Sequence, residues 1–189
     1  MATNGEVGLR AVTEADLPWL AAIAADPEAS GEHNWGGQPV DPSDVEEELR
    51  ARFRDDRLLG FDRGSMIVEL DGRTPIGDVS WRAEQWGPSA ASRCLAFGIT
   101  LLPSYRGKGH GTEAQRQLIT YLFRTTDVHR IQSDTAADNP AERRALEKLG
   151  MHPEGVVRQA EYRAGRYHDH ILFSVLRPEW HDARSWGRH

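Results

Sequence analysis

Apolar and polar positions follow two rhythms along this chain, and the rhythm assigns most of its elements. Val7 to Val12 is a short apolar opening that reads as a strand. Thr13 can cap a helix starting at Glu14, with Leu17, Leu20, Ala21 and Ala24 at helical spacing. Pro27 and the stretch from Ser30 to Pro42 end that helix in a Gly/Pro-rich loop containing Glu32, His33 and Trp35. Ser43 is placed to cap a second helix reaching Arg57, acidic at its start, with Val45, Leu49 and Phe53 on one face. Met66 to Leu70 reads as a strand, Asp71-Gly72 as a hairpin turn, and Ile76 to Trp81 as the returning strand. Arg93 to Leu101 is a further strand, stopped by Pro103.

The second half is more sharply punctuated. A helix is predicted from Thr112 to Phe123, its apolar face made by Ala114, Leu118, Tyr121 and Leu122. Arg130 to Thr135 reads as a strand. The helix after it has Asn139 as N-cap, Pro140 at its first position and Glu142 to complete a capping box, and Gly150 ends it. Val156 to Arg163 and Arg166 to Leu176 flank Ala164-Gly165 as a terminal hairpin. The order is α+β, with helices between some of the strands.

The chain has 189 residues, a length suited to one domain over 1–189, with a core from about 9 to 178 and a short tail at 179–189. A net charge of −6 argues against a general nucleic-acid binder, which would present a basic face. The single cysteine, Cys94, excludes an internal disulfide framework and fits a reducing compartment. No apolar run is long enough to span a bilayer, and the first residues lack the marks of a signal peptide. A cytoplasmic protein with neither membrane nor nucleic acid as partner is expected.

Arg106-Gly107-Lys108-Gly109-His110-Gly111, between a strand and a helix, is the most informative stretch. Glycine permits positive φ and close backbone approach, and the helix aims unpaired N–H groups at the loop. Arg106 and Lys108 add positive charge, so a diphosphate is the physical reading. A nucleotide phosphotransferase loop would end in Gly-Lys-Ser/Thr, but Lys108 is followed by Gly109. The even spacing of Gly107, Gly109 and Gly111 also misses the dinucleotide pattern.

This stretch resembles the Gln/Arg-x-x-Gly-x-Gly/Ala signature of the GNAT N-acetyltransferase superfamily. The likeness extends to Gly98 through Tyr105 before it, and to Asn139 and Leu146 through Met151 after it. It runs from Leu9 to about Trp180 and is nearest the RimJ/RimL-type branch. The resemblance implies a mixed, mostly antiparallel sheet flanked by helices, with a strand splayed open at an acetyl-CoA cleft. It assigns Arg106, Gly107, Lys108, Gly109, His110, Gly111 and Thr112 to the pyrophosphate. Ile99 and Leu101 would make main-chain contacts to the pantetheine arm, and Asn139 would bond its amide region. Two departures stand out. Ala96 occupies a position often acidic in relatives, and Glu142 one often held by Ser. The usual places for a general base and for a thiolate proton donor are therefore unfilled.

Amide formation from a thioester needs a neutral amine, and a primary amine titrates near about 10. A positioned carboxylate or imidazole can take the proton, and backbone N–H groups can hold the carbonyl oxygen. Glu32 and His33 are the leading base candidates, in the loop that lines the acceptor side in the family; Asp78, Glu84 and Asp134 follow. Trp35 is expected to line the substrate channel, with Trp81 fitting a core position. Cys94 reads as a buried inert thiol, His168 and His170 as hydrogen-bonded rather than metal-ligating, and Arg143-Arg144 as a solvated face, with an arginine near the coenzyme's adenosine phosphate as the alternative. No metal is expected. The implied reaction moves an acetyl group from acetyl-CoA to a primary amine of a small molecule or a protein N-terminus, by direct attack in a ternary complex. A catalytically silent acyl-CoA-binding or sensing domain is the alternative. The terminal hairpin and tail could pair two copies as a homodimer.

Overall fold

The computed structural model describes residues 5–33 and 39–183. Among them, β1 Val7–Ala11, β2 Arg63–Leu70, β3 Thr74–Gln85, β4 Arg93–Leu101, β5 Arg130–Ala136, β6 His152–Arg163 and β7 Arg166–Leu176 form one sheet. Its order is β1-β2-β3-β4-β5-β7-β6. Neighbours are antiparallel throughout except β4 with β5, which run parallel. The helices are α1 Leu17–Ala25, α2 Pro27–Ser30, α3 Pro42–Asp56, α4 His110–Thr125, α5 Pro140–Lys148 and α6 Arg177–Ala183. The expected α+β class and mostly antiparallel sheet are what the chain forms.

Strand alternation gives the sheet two different faces. On one, Met66, Val79, Trp81, Leu95, Phe97 and Ile131 join Ala114, Leu118, Ile119 and Leu122 of α4 in the main core. On the other, Ile67 packs with Leu17 and Leu20 of α1 and with Leu58, against Leu49 and Phe53 of α3. Asp78 is the register partner of Ile67, so it belongs to this second face, as do Ser65 and Ser80, themselves a pair. Polar residues inside the α1/α3 face are the first sign that it holds a site rather than a filled core.

Several boundaries differ from the sequence reading for local reasons. Asp41, not Ser43, caps α3: its carboxylate accepts from the Ser43 N–H at 2.8 Å, and Pro42 takes the first helical position. Pro27 starts α2 rather than a loop, because Asp26 accepts from Glu28 N–H at 2.9 Å. β3 continues to Gln85 because pairing with β4 persists through Gln85 opposite Arg93. Asn139 does cap α5, accepting from Glu142 N–H at 3.2 Å, and Gly150 turns the chain with φ +76°. The Glu142 side chain, expected in a capping box, instead accepts from Gln115 Nε2 of α4 at 3.2 Å. Trp180 of α6 is buried beside Phe123, so packing continues past the expected start of the tail.

Candidate active site

β4 and β5 pair only at Leu95 with Ile131 and at Ala96 with Gln132, then separate. The Ser133 hydroxyl donates to the Phe97 carbonyl at 3.0 Å across the vertex. Beyond it, the backbone of Gly98 to Leu101 has β3 on one side and no strand on the other. A cavity of about 800 Å³ occupies the opening, lined by Gly98, Ile99 and Leu101 on one wall and by Ser133 to Ala136 on the other.

The cleft runs on to Gly107, Gly109, Gly111 and Thr112 at the start of α4. Gly107 and Gly109 have φ of +73° and +88°, and a Cβ on either would project into open space. Gly111 serves differently: a Cβ there would stand 3.3 Å from Leu101 Cδ1, so its smallness seats the helix against β4. The leading N–H groups of α4 have no intrahelical acceptor, and the helix dipole adds positive potential. An extended diphosphate ligand with a long arm fits this shape and polarity.

The cations are arranged otherwise than the sequence implied. Arg106 donates through Nε to the Leu101 carbonyl at 2.7 Å and through a terminal nitrogen to the Ala29 carbonyl. It thereby ties the splayed end of β4 to α2, against Gly31 at φ +81°. Lys108 Nζ donates to the Ser104 carbonyl at 2.7 Å and lies 5.8 Å from the Tyr105 ring. His110 turns its ring inward, where it is buried, leaving its N–H on the loop. Arg144 and Lys148, one helical turn apart on α5, line the cleft together with Arg106. Their i, i+4 spacing is the available signal; Arg143 is half-buried and donates to the Ala137 carbonyl at 3.2 Å, whereas Arg144 is exposed along the cleft.

At the other end, Glu32 and His33 both line the cleft. His33 Nε2 lies 3.1 Å from Glu32 Oε1, and Nδ1 lies 3.7 Å from Asp138. Asp134 is exposed, but onto the cleft, and meets His170 Nδ1 at 2.6 Å. His170 Nε2 faces Glu161 at 3.2 Å; burial opposes its charge, but the two carboxylates outweigh burial and raise its pKa. Asp138 meets His168 Nδ1 at 3.0 Å and Arg163 at 3.0 Å. Burial works against the Asp138 anion, yet the Arg163 and His168 charges keep its pKa below the ordinary value. Asn139 lies beside it on the cleft wall. Trp35 falls outside the described residues. Trp81 is a core residue, its Nε1 bonded to the Gly60 carbonyl at 3.1 Å.

Three further groups have chemistry set by burial. Glu142 lines the cleft, and burial favours its neutral form, with the Gln115 hydrogen bond acting the other way. Cys94 is buried and its thiol pKa is raised by burial, the opposite of an activated nucleophile. Asp78, on the α1/α3 face, is pushed up to about 7 by burial, with Ser65 acting against the shift. It is half-buried and lines a second cavity.

The Asp78 shift has a testable sign. The folded chain keeps a proton there that the unfolded chain loses near about pH 4. Stability from this group is full below that value and is lost as pH rises through about 7. Asp78→Asn removes the titration, so its melting temperature relative to the parent is expected to climb between pH 4 and 8. The expected gain is worth roughly 1–3 kcal/mol. Parallel melting curves across that range would contradict the assignment.

A family profile described as an acetyltransferase (GNAT) domain matches residues 6–152. The chain belongs to the GNAT acetyltransferase family. The similarity is of the RimJ/RimL type: a putative ribosomal N-acetyltransferase, YdaF, of Bacillus subtilis is 34% identical over 89 residues, 47% of this chain and 49% of that protein. The chain spans about half the length of the curated relatives it matches first. A spermidine N-acetyltransferase from Vibrio cholerae, solved with CoA and spermine, shares the fold with a TM-score of 0.77 and 23% identity, covering 92% of this chain and 97% of that one. Mycobacterium smegmatis RimJ, solved with CoA-disulfide, gives a TM-score of 0.76 at 22% identity over 98% and 91% of the two chains. The splayed strands and glycine loop of this GNAT chain are the features its sequence resemblance led one to expect.

Proposed function

We propose that this GNAT chain transfers an acetyl group from acetyl-CoA to a primary amine by direct attack in a ternary complex. The observation that carries the reading is the opening of β4 from β5 beside a glycine loop that starts α4. Acetyl-CoA supplies the activated acyl group. Gly107, Gly109, Gly111 and Thr112 receive its diphosphate on backbone N–H groups, and Arg106, Lys108 and His110 contribute main-chain positions to the same loop. Ile99 and Leu101 line the wall along which the pantetheine arm runs, and Asn139 closes the opposite wall. Backbone N–H groups near the vertex hold the carbonyl oxygen as charge gathers on it. His33, backed by Glu32, takes the proton that the attacking amine releases. Relatives named for spermidine and for ribosomal protein uS5 span the two acceptor classes considered: a small amine and a protein N-terminus. No helix among the described residues is long and apolar enough to cross a membrane, and the lone reduced cysteine supports a cytoplasmic setting.

Direct attack needs no acyl-enzyme. Cys94→Ala is therefore expected to retain most of the amine-dependent thiol release, with a stability loss of about 1 kcal/mol. An acetylated Cys94 trapped on intact-mass analysis would overturn direct attack. Thiol release from acetyl-CoA that depends on added amine tests the reading as a whole.

A further inference from the structure

The α1/α3 face of the sheet carries a second cavity, of about 340 Å³, distinct from the cleft. Such a volume suits a small molecule. Its inner wall is polar where a core would be apolar, with Ser65, Asp78 and Ser80 from β2 and β3 and Thr100 from β4. Asp78 has the Ser65 hydroxyl beside it, and that hydroxyl is shared with the Val79 carbonyl at 3.1 Å. A buried carboxylate with so little compensation is costly to keep unless a ligand completes it.

The rim is charged in the opposite sense. Arg52, Arg63 and Arg82 line it together with Glu48. Arg63 faces Glu48 at 3.4 Å, and Arg82 faces Glu84 at 2.9 Å. Arg52 is half-buried, has Arg63 as a nearby like charge with Glu48 and Asp56 as weaker opposite ones, and makes no hydrogen bond or ion pair among the described residues. A half-buried guanidinium in that position is a ready partner for an anion.

The two cavities meet. Ser30 lines both, and Ala96, Gly98 and Thr100 lie on one side of β4, Gly98 on the cleft and its two neighbours on the second cavity. A Cβ at Gly98 would find only Ser80 Oγ, at 4.0 Å, so glycine leaves a window between the two spaces. Asp78 pairs with Thr100 and Ser80 with Gly98, which puts Asp78 one same-face step, about 7 Å, from the window. An ammonium hydrogen-bonded to a carboxylate at about 2.8 Å, with its nitrogen about 3–3.5 Å from a reacting carbon, spans nearly that distance.

We propose that this second cavity is the acceptor site, and that it takes a small amine bearing an anionic group, the ammonium held by Asp78 at the Gly98 window and the anion by Arg52. The proposal rests on the acetyltransferase reading and narrows its substrate class. Asp78 orients the bound ammonium; one proton passes to His33 on the cleft side of Ser30 before the neutral amine attacks, and the proton lost from the adduct goes to the departing CoA thiolate as the C–S bond breaks. A diamine is disfavoured, because its second ammonium would meet Arg52, the rim arginine with no ion pair among the described residues.

The test compares three amines of one chain length: 5-aminopentanoate, its methyl ester, and cadaverine. With CoA-saturated protein, calorimetry is expected to give the tightest binding for the acid. Asp78→Asn should weaken the acid by about 10–100-fold, the worth of a charge-assisted hydrogen bond. Arg52→Gln should erase the preference for acid over ester. In turnover, Asp78→Asn should raise KM with kcat little changed. Equal binding of the three amines, or a preference for cadaverine, would overturn the site's chemistry. A collapse of kcat at unchanged KM in Asp78→Asn would overturn its anchoring role. The binding arm does not depend on acetyl transfer: binding with no turnover would count against the acetyltransferase reading, whereas turnover of the neutral ester with no selective acid binding would count against this site.

Discussion

Gly109→Val is expected to weaken acetyl-CoA binding by roughly 100-fold or more, since two losses add. The first is conformational. Gly109 sits at φ +88° as the residue before α4, and a β-branched side chain in that region is strained. The backbone would escape by rotating the very N–H groups that face the loop. The second is steric: a Cβ at 109 projects into open space along the cleft, where the diphosphate is placed. Calorimetric titration with CoA checks this, with Gly155→Val as control. Gly155 lies in β6, has an ordinary φ, and a Cβ there meets nothing within 4 Å. A parent-like melting temperature in Gly109→Val would show that the loss is one of binding. Unchanged affinity would remove the loop from the site.

His33→Gln is expected to lower kcat by about 10²–10⁴-fold, the range for loss of a general base. His33 lines the cleft, and its two ring nitrogens face Glu32 at 3.1 Å and Asp138 at 3.7 Å. Glu32 holds the ring in place through Nε2. Glu32→Gln should have a smaller effect of the same sign, because Glu32 is exposed and acts through the ring. The double variant should match His33→Gln alone, as expected for two groups that work as a unit. Parent-like kcat in all three would move proton removal elsewhere, with Asp78 and Asp134 the next groups to replace.

Much of the architecture was legible because local and global signals agreed. The limits of β4, the Asn139 cap, the Pro140 start of α5 and the Gly150 stop are each fixed by neighbours in sequence. The splay at Phe97 and Ser133 was reached through family resemblance, since nothing in the alternation of β4 marks where pairing with a distant strand ends. Side-chain duties were the hardest to read. Arg106 and Lys108 stood beside the loop in sequence, yet backbone carbonyls nearby claim both side chains, and the cleft takes Arg144 and Lys148 from a helix over thirty residues later. Glu142 fits a capping pattern by spacing, but Gln115, buried in α4, offers its carboxyl a partner in the cleft. Asp78 looked like one polar residue in a strand. Only the register of β2, β3 and β4 shows that it shares a face with Ser65, Ser80 and Thr100 around a cavity.

The measurement that bears most directly on the account is mass analysis of the amine after incubation of purified protein with acetyl-CoA and 5-aminopentanoate, with free CoA thiol counted in the same samples. The account predicts one N-acetylated amine for each thiol released, with both lost in Gly109→Val and in His33→Gln. CoA binding with no acetylated product from any amine, or product that persists in Gly109→Val, would contradict it.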